Sequence, residues 1–433
     1  MLRRLGLAAV LAALSCSVSA SAFAGGYALR EQSTTSQGAA FAGSAAGGSL
    51  SSMFWNPAAL GAIDGTVSES HAAGFFGRTN LAADGGTLNA AAAVTNASPF
   101  SGDIADEALI TSSYYGHRLS ERWWLGLSIN APFGLVTEPA NQSWQGAPIA
   151  RKSEIFTLNA APTAAVELMP GVVLGAGLQV QYLSAELSFA TAPTAGAPSA
   201  IYKGDDIAIG GTLGIYLTPS PTTQIGIGYR SEIRHTLDGD LGLVGGSAFP
   251  ENDVALTTPD TVTVSVRHAL SPRLRVMGTF EWTNWSDFDA VTLTDLTGIG
   301  LAPGATATID AGWDDAWFAS VGAEYDVSDA LTVRGGVGFE RSPIRNAEQR
   351  LTSVPDADRI WLSAGASYAA TRYATIDVAY TRVLVDDARF SRSTATDPSA
   401  TLEGSVETNV DIFSLSVRQK LNRDHPVFGG LFR

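Results

Sequence analysis

From Thr66 onward, apolar and polar residues alternate with a period of two, the spacing of strands that bury one face. After Arg273, Leu274, Val276, Phe280 and Trp282 fall on one side, with Arg275, Thr279, Glu281 and Thr283 on the other. Ile360, Leu362, Ala364, Ala366 and Tyr368 alternate in the same way with Trp361, Ser363, Gly365 and Ser367. A last segment sets Phe413, Leu415 and Val417 against Ser414, Ser416 and Arg418. A water-soluble sandwich would also alternate, so the connections have to discriminate. Six are tight, such as Met169-Pro170-Gly171 and Ser271-Pro272-Arg273, and seven are long, around Asp84, Gln142, Pro193, Gly245, Pro303, Pro355 and Pro398. Passing up and down through them gives about 14 strands of roughly ten residues or more. An even strand number with short turns at one rim and long loops at the other predicts an all-β, 14-stranded antiparallel transmembrane β-barrel. Closure also pairs every strand edge, as lipid demands. Trp123, Trp124, Tyr325, Tyr368 and Tyr373 are expected in an interfacial belt at the short-turn rim, and Trp282, Trp285 and Trp313 at the other.

Composition strengthens this reading. Only 16% of the 433 residues are charged, where soluble proteins carry about 25%, yet 45% are hydrophobic. Beyond the first residues no apolar run reaches the roughly 18 to 20 residues of a membrane helix. The 27 Lys and Arg against 42 Asp and Glu leave no basic excess for nucleic acid. The 18 Phe, 11 Tyr and 9 Trp argue against disorder.

Residues 1–24 read as a secretory signal peptide: Arg3 and Arg4, the apolar stretch Leu5 to Leu14, then the small-x-small site Ala22-Phe23-Ala24. The single cysteine, Cys16, lies within it and lacks the upstream Leu of a lipidation site. Residues 25–64 do not alternate and are built largely of Gly, Ala and Ser, with Tyr27, Phe41, Phe54 and Trp55 among them. A barrel of 14 strands leaves a lumen, and this segment has the size of an N-terminal hatch or plug within it; a loose periplasmic leader is the alternative. Asn56, Pro57 and Ala58 favour an ordered turn, with Asn as cap and Pro at the first helical position. The barrel is expected over residues 65–421, followed by a C-terminal tail at 422–433.

Candidate chemistry is sparse. The five histidines form no His-Glu-x-x-His pair, and there is no Gly-x-Ser-x-Gly elbow or phosphate loop, so no enzyme, metal centre or cofactor is expected. Asp314-Asp315 and Asp386-Asp387 near the loop rim fit solvated carboxylates better than cation ligands. Arg230 and Glu232 are two apart and are expected to share the lumen face with Arg334 and Glu281, as a salt-bridge network or as contacts for a ligand's head. Pro132 and Gly134 flank Phe133 at the end of the third strand, where ladder pairing should fail, as a plain strand end or as a gap in the wall.

Six separated stretches resemble the FadL-like outer-membrane transporters of long-chain fatty acids and other hydrophobic compounds. They are Asn56-Pro57-Ala58; Phe133 to Glu138; Tyr229 to Glu232; Thr283 to Phe288; Ser342-Pro343; and Pro355 to Ser363. The resemblance implies an N-terminal hatch, an apolar pocket, and a kinked third strand that opens the wall sideways at Pro132, Phe133 and Gly134. It also implies a Gram-negative outer-membrane location, a hydrophobic small-molecule ligand, and contacts with outer-membrane lipid, lipopolysaccharide and the barrel assembly machinery. Ala131, Phe189 and Thr292 stand where fatty-acid carriers of the family place polar and basic groups. Candidate ligand contacts are therefore Phe189, Arg230 and Arg334, and neutral hydrocarbons are expected at least as readily as acids. An open diffusion porin for polar solutes is the alternative, and it has no need of a hatch.

Overall fold

The structure is a computed structural model that describes residues 25–88, 97–191, 197–288, 290–395 and 397–421. The predicted signal peptide with Cys16, and the tail at 422–433, lie outside the described residues. The strands are β1 (Thr66–Gly85), β2 (Ala108–Arg118), β3 (Trp123–Asn130, continuing as Gly134–Thr137), β4 (Lys152–Met169), β5 (Val172–Ala190) and β6 (Ser199–Ser220). There follow β7 (Thr223–Arg230, continuing as Ile233–Leu243), β8 (Val254–Thr258, continuing as Thr261–Ala269), β9 (Leu274–Thr283) and β10 (Ala316–Asp326). The last four are β11 (Leu331–Arg341), β12 (Arg359–Ala369), β13 (Ala374–Val385) and β14 (Thr401–Lys420). Each pairs antiparallel with the next, and β1 closes the barrel on β14 from Val67↔Lys420 to Gly85↔Glu403.

The two faces of the wall reverse the soluble pattern. Phe76, Leu158, Ile207, Ile209, Phe280, Val321 and Phe413 point outward and are exposed. Thr263, Ser265, Glu281, Glu324 and Arg334 point inward and are buried. An apolar outside with a polar inside fits a wall whose solvent is lipid. The aromatic expectation holds in part. Trp123, Tyr325 and Tyr368 are exposed on the outer surface. Trp124, Trp285 and Trp313 are instead buried within the barrel, which corrects their assignment to the belts. Trp124 faces inward, where its indole N–H donates to the Ile63 carbonyl at 3.1 Å. Trp285 and Trp313 lie outside regular strands, where alternation no longer fixes which way a side chain points.

Gly25 to Ile63 runs through the lumen as a short helix (Thr34–Gln37) and two 3-10 turns (Leu50–Phe54, Pro57–Ala62). Small residues on both sides make this fit. A Cβ at inward-facing Gly226 would lie 1.8 Å from the Ala45 carbonyl oxygen, and one at Gly228 1.8 Å from that of Trp55. Ala40 and Phe41 hold left-handed backbone, with φ of 50° and 60°, so that Phe41 turns into a nest of Trp55, Phe318 and Trp361.

Candidate ligand cavity and wall gap

Asn56 is fully buried and fixes the second 3-10 turn: its Oδ1 accepts the Ala58 N–H at 3.0 Å. Its amide nitrogen donates to the carbonyls of Ala45 and of Ile215 in β6, each at 3.0 Å, so one side chain joins hatch to wall. Pro57 occupies the first helical position and has no N–H to leave unpaired there. Glu69 of β1 secures the other turn by accepting the N–H groups of Leu50 (2.8 Å) and Ser51 (2.9 Å).

The wall is interrupted between β2 and β3. Their ladder ends at Ser113↔Ile129, and the chain just before β2 meets the end of β3 again from the bridge Ala105↔Thr137 onward. Pro132 brings no N–H to a ladder, and the stretch from Asn130 to Gly134 carries one residue more than its partner from Asn159 to Phe156. Thr157 spans this bulge: its hydroxyl accepts the Phe133 N–H at 3.0 Å and donates to the Phe133 carbonyl at 2.6 Å. The hatch takes the place of the missing strand. Leu29 N–H donates to the Pro132 carbonyl (2.8 Å), Gly134 N–H to that of Tyr27 (2.9 Å), and the Gln32 side chain to that of Ala131 (2.7 Å).

Above these contacts sits an aromatic cluster centred on Tyr27, whose ring lies 4.7 Å from Trp285, 5.4 Å from Phe288, 5.8 Å from Phe133 and 6.2 Å from Trp313. Burial pushes the Tyr27 hydroxyl well above its ordinary range, so it stays a neutral donor. On this floor stands a cavity of about 90 Å³ walled by Leu135, Ile155, Leu187, Tyr202, Leu237, Leu256, Leu293 and Leu351. Its described lining includes two carboxylates, Glu154 and Glu186, and no basic residue. Those carboxylates are held by Lys152 (2.7 and 3.3 Å), and Glu186 also by Lys203 (2.8 Å). A second cavity of about 50 Å³ lies between hatch and wall beside Pro132 and Phe133 and is lined in part by Arg30, Phe54 and Arg230.

The predicted contacts fall in three places. Phe189 is buried in the apolar cluster around the upper cavity but is not among the residues lining it. Arg230 lines the lower cavity, stacked 4.3 Å above the Phe54 ring; it donates to the Phe54 carbonyl at 3.1 Å and to the Gln179 side chain. Arg334 is remote from both cavities, held by Glu324 at 3.2 Å and Asp377 at 3.8 Å. The expected sharing of a face by Arg230 and Glu232 fails. Gly228 and Arg230 pair with Gly214 and Thr212, but where pairing with β6 resumes, at Asp238↔Asp205, the register has slipped by one. That slip turns Glu232 to Arg234, with a 2.8 Å contact. Thr292 lies in a loop hairpin, its hydroxyl 3.3 Å from that of Thr308. Tyr27, Leu237, Trp285 and Trp313 were not singled out as site residues. Tyr27 carried a signal, as a large aromatic in a run of small residues.

A closed barrel with an apolar outer band, an internal segment and an apolar cavity beneath its loops defines an outer-membrane transport protein. Residues 15–421 match the model of the outer membrane protein transport protein family (OMPP1/FadL/TodX), and the chain belongs to that family. A putative outer membrane protein of Neisseria meningitidis serogroup B is 27% identical over 448 residues, covering 93% of this chain and 96% of the relative. The long-chain fatty acid transport protein of Escherichia coli K12 is 24% identical over 321 residues, 64% of this chain and 70% of the relative. Among solved structures, a Pseudomonas aeruginosa FadL homologue superposes with a TM-score of 0.79 at 22% identity, covering 92% of this chain and 100% of that one. The Pseudomonas putida toluene transporter TodX gives 0.65 at 13% identity, with 89% and 98% covered. Both likenesses are of fold.

Proposed function

We propose that the protein takes up neutral hydrophobic molecules, aromatic or aliphatic hydrocarbons at least as readily as long-chain fatty acids, and releases them sideways into the membrane between β2 and β3. The observation that carries this reading is the lining of the upper cavity, mostly apolar, with the carboxylates Glu154 and Glu186, the hydroxyls of Ser153 and Ser353, and no basic residue among the described residues. A fatty acid's carboxylate drawn from water into such surroundings needs a paired cation or several donors, or it takes up a proton instead. The relatives named for long-chain fatty acids and for toluene bracket this ligand class.

The hatch acts as the plug, and passage runs past Tyr27 to the interrupted ladder at Pro132, Phe133 and Gly134. A sideways exit keeps the cargo in apolar surroundings throughout. For a tail of about 16 methylenes at roughly 0.8 kcal/mol each, release into periplasmic water would forfeit on the order of 12 kcal/mol. No chemistry is performed on the cargo. Outer-membrane lipid and lipopolysaccharide surround the wall, and the barrel assembly machinery inserts it. The test is competition binding of a long-chain fatty acid against its uncharged alcohol at neutral pH. Equal or better binding of the alcohol is expected; a preference for the acid of about tenfold, 1.4 kcal/mol, would overturn the neutral-ligand reading.

A further inference from the structure

The hatch begins in a buried cluster of charged groups. Arg30, Glu31, Glu281, Glu340, Asp356 and Arg359 are each nine-tenths or more buried. Arg30 is shared between Glu281 and Glu340, at 3.0 Å from the latter, and Arg359 contacts Glu340 at 3.8 Å as well as Asp356. Four carboxyl groups therefore meet these two guanidinium groups, and a third guanidinium, Arg230, lines the same cavity and acts on Glu281 through space. Of these carboxyls, neither oxygen of Glu31 has a hydrogen-bond partner among the described residues, and burial pushes its pKa up to about 7.

The chain itself brings donors to those carboxylates. Gly25 N lies 3.1 Å from Glu340 Oε1, and Gly26 N lies 3.0 Å from Asp356 Oδ2. Both residues are buried, and a larger one at Gly26 would not fit. A Cβ at Gly26, whose φ is +67°, would lie 2.8 Å from the Trp285 ring, and one at Gly25 would lie 3.0 Å from Glu340. Gly25 also follows the small-x-small sequence Ala22-Phe23-Ala24.

We propose that Glu340 and Asp356 form a binding site for the chain's own new N-terminus: cleavage after Ala24 creates an ammonium group at Gly25 that docks on Glu340, while the Gly26 N–H stays on Asp356. A leader peptidase adds water across the Ala24–Gly25 bond, leaving a carboxylate on Ala24 and an amine on Gly25. The amine takes a proton from solvent at neutral pH, because a free α-amino group titrates near 8. Before cleavage the same nitrogen is a neutral amide with one N–H and brings no charge to Glu340. Processing thereby latches the start of the hatch beneath Trp285 and Tyr27, at the floor of the upper cavity. This site does not depend on which ligand the cavity takes.

Amine acylation in detergent, read by mass spectrometry, tests it. The only lysines, Lys152, Lys203 and Lys420, serve as internal references, Lys203 with a side chain 63% exposed. In the processed protein the Gly25 amine is expected to react about 100-fold more slowly folded than denatured, while Lys203 labels readily in both. Glu340→Gln or Asp356→Asn, in barrels that still migrate as folded, should each raise the Gly25 rate at least about tenfold. A mature chain beginning elsewhere, equal labelling of Gly25 in both states, or protection that survives both substitutions would overturn the site.

Discussion

The amide of Gly134 donates to the carbonyl of Tyr27 at 2.9 Å, and so ties the broken third strand to the hatch. The adjoining bond from Leu29 N–H to the Pro132 carbonyl, at 2.8 Å, makes the hatch a surrogate strand where β2 and β3 part. Backbone groups at membrane depth have to be satisfied. Moving the segment from Tyr27 to Leu29 would therefore expose two carbonyls and two N–H groups at once.

Asn56→Ala should loosen the plug more than the loss of a cap alone. Capping contributes about 1 kcal/mol, and the two bonds to Ala45 and Ile215 add about 1 kcal/mol each. The barrel is expected to keep its heat-dependent gel migration while conductance in planar bilayers rises. Gly226→Ala should disturb the hatch more, since its methyl would overlap the Ala45 carbonyl oxygen.

Glu31 makes the hatch sensitive to pH. Its carboxyl is raised from 4.5 to about 7, first by burial. An acid whose folded pKa lies above its unfolded value is bound to more protons when folded, so its stabilising contribution is full below pH 4.5 and declines as pH rises towards 7. The expected loss across that window is on the order of 3 kcal/mol, flat above it. Denaturant titrations from pH 4 to 8 should show the decline in wild type and its absence in Glu31→Gln; equal slopes would exclude the role.

The architecture was legible because a lipid-facing wall with a polar lumen is the arrangement that most fully preserves a period of two. The turns Met169-Pro170-Gly171 and Ser271-Pro272-Arg273 then counted the strands. What escaped lay where the period fails. The register slip between Arg230 and Asp238 sent Glu232 to the opposite face, and nothing in the local composition marks it. Trp285 and Trp313 sit in loops, where an aromatic residue reads equally as belt or core. The partners of Gly25 and Gly26 are more than 300 residues distant, so no spacing joins them. One readable signal was passed over: inward-facing glycines at alternate positions, such as Gly226 and Gly228, mark where the wall yields room to the hatch.

A cation placed in the upper cavity should reverse its preference. Leu237 lines that cavity and is fully buried. In Leu237→Arg the guanidinium would meet an incoming carboxylate in a cavity whose own carboxylates, Glu154 and Glu186, are already held by Lys152 and Lys203. Binding of a long-chain fatty acid is expected to gain about tenfold or more over its alcohol relative to wild type, since a charge-assisted hydrogen bond contributes about 1.5–3 kcal/mol. An unchanged ratio in a folded variant would place the ligand elsewhere.

The sideways route is tested most directly by uptake through a wall whose ladder has been repaired. Replacing Pro132 and Gly134 with Val returns the missing N–H and stiffens the strand. Cells carrying the Pro132→Val, Gly134→Val protein, shown to be folded by its heat-dependent gel migration, should take up a hydrophobic substrate several-fold more slowly than wild type while purified protein binds it as before. Uptake at the wild-type rate would contradict exit between β2 and β3.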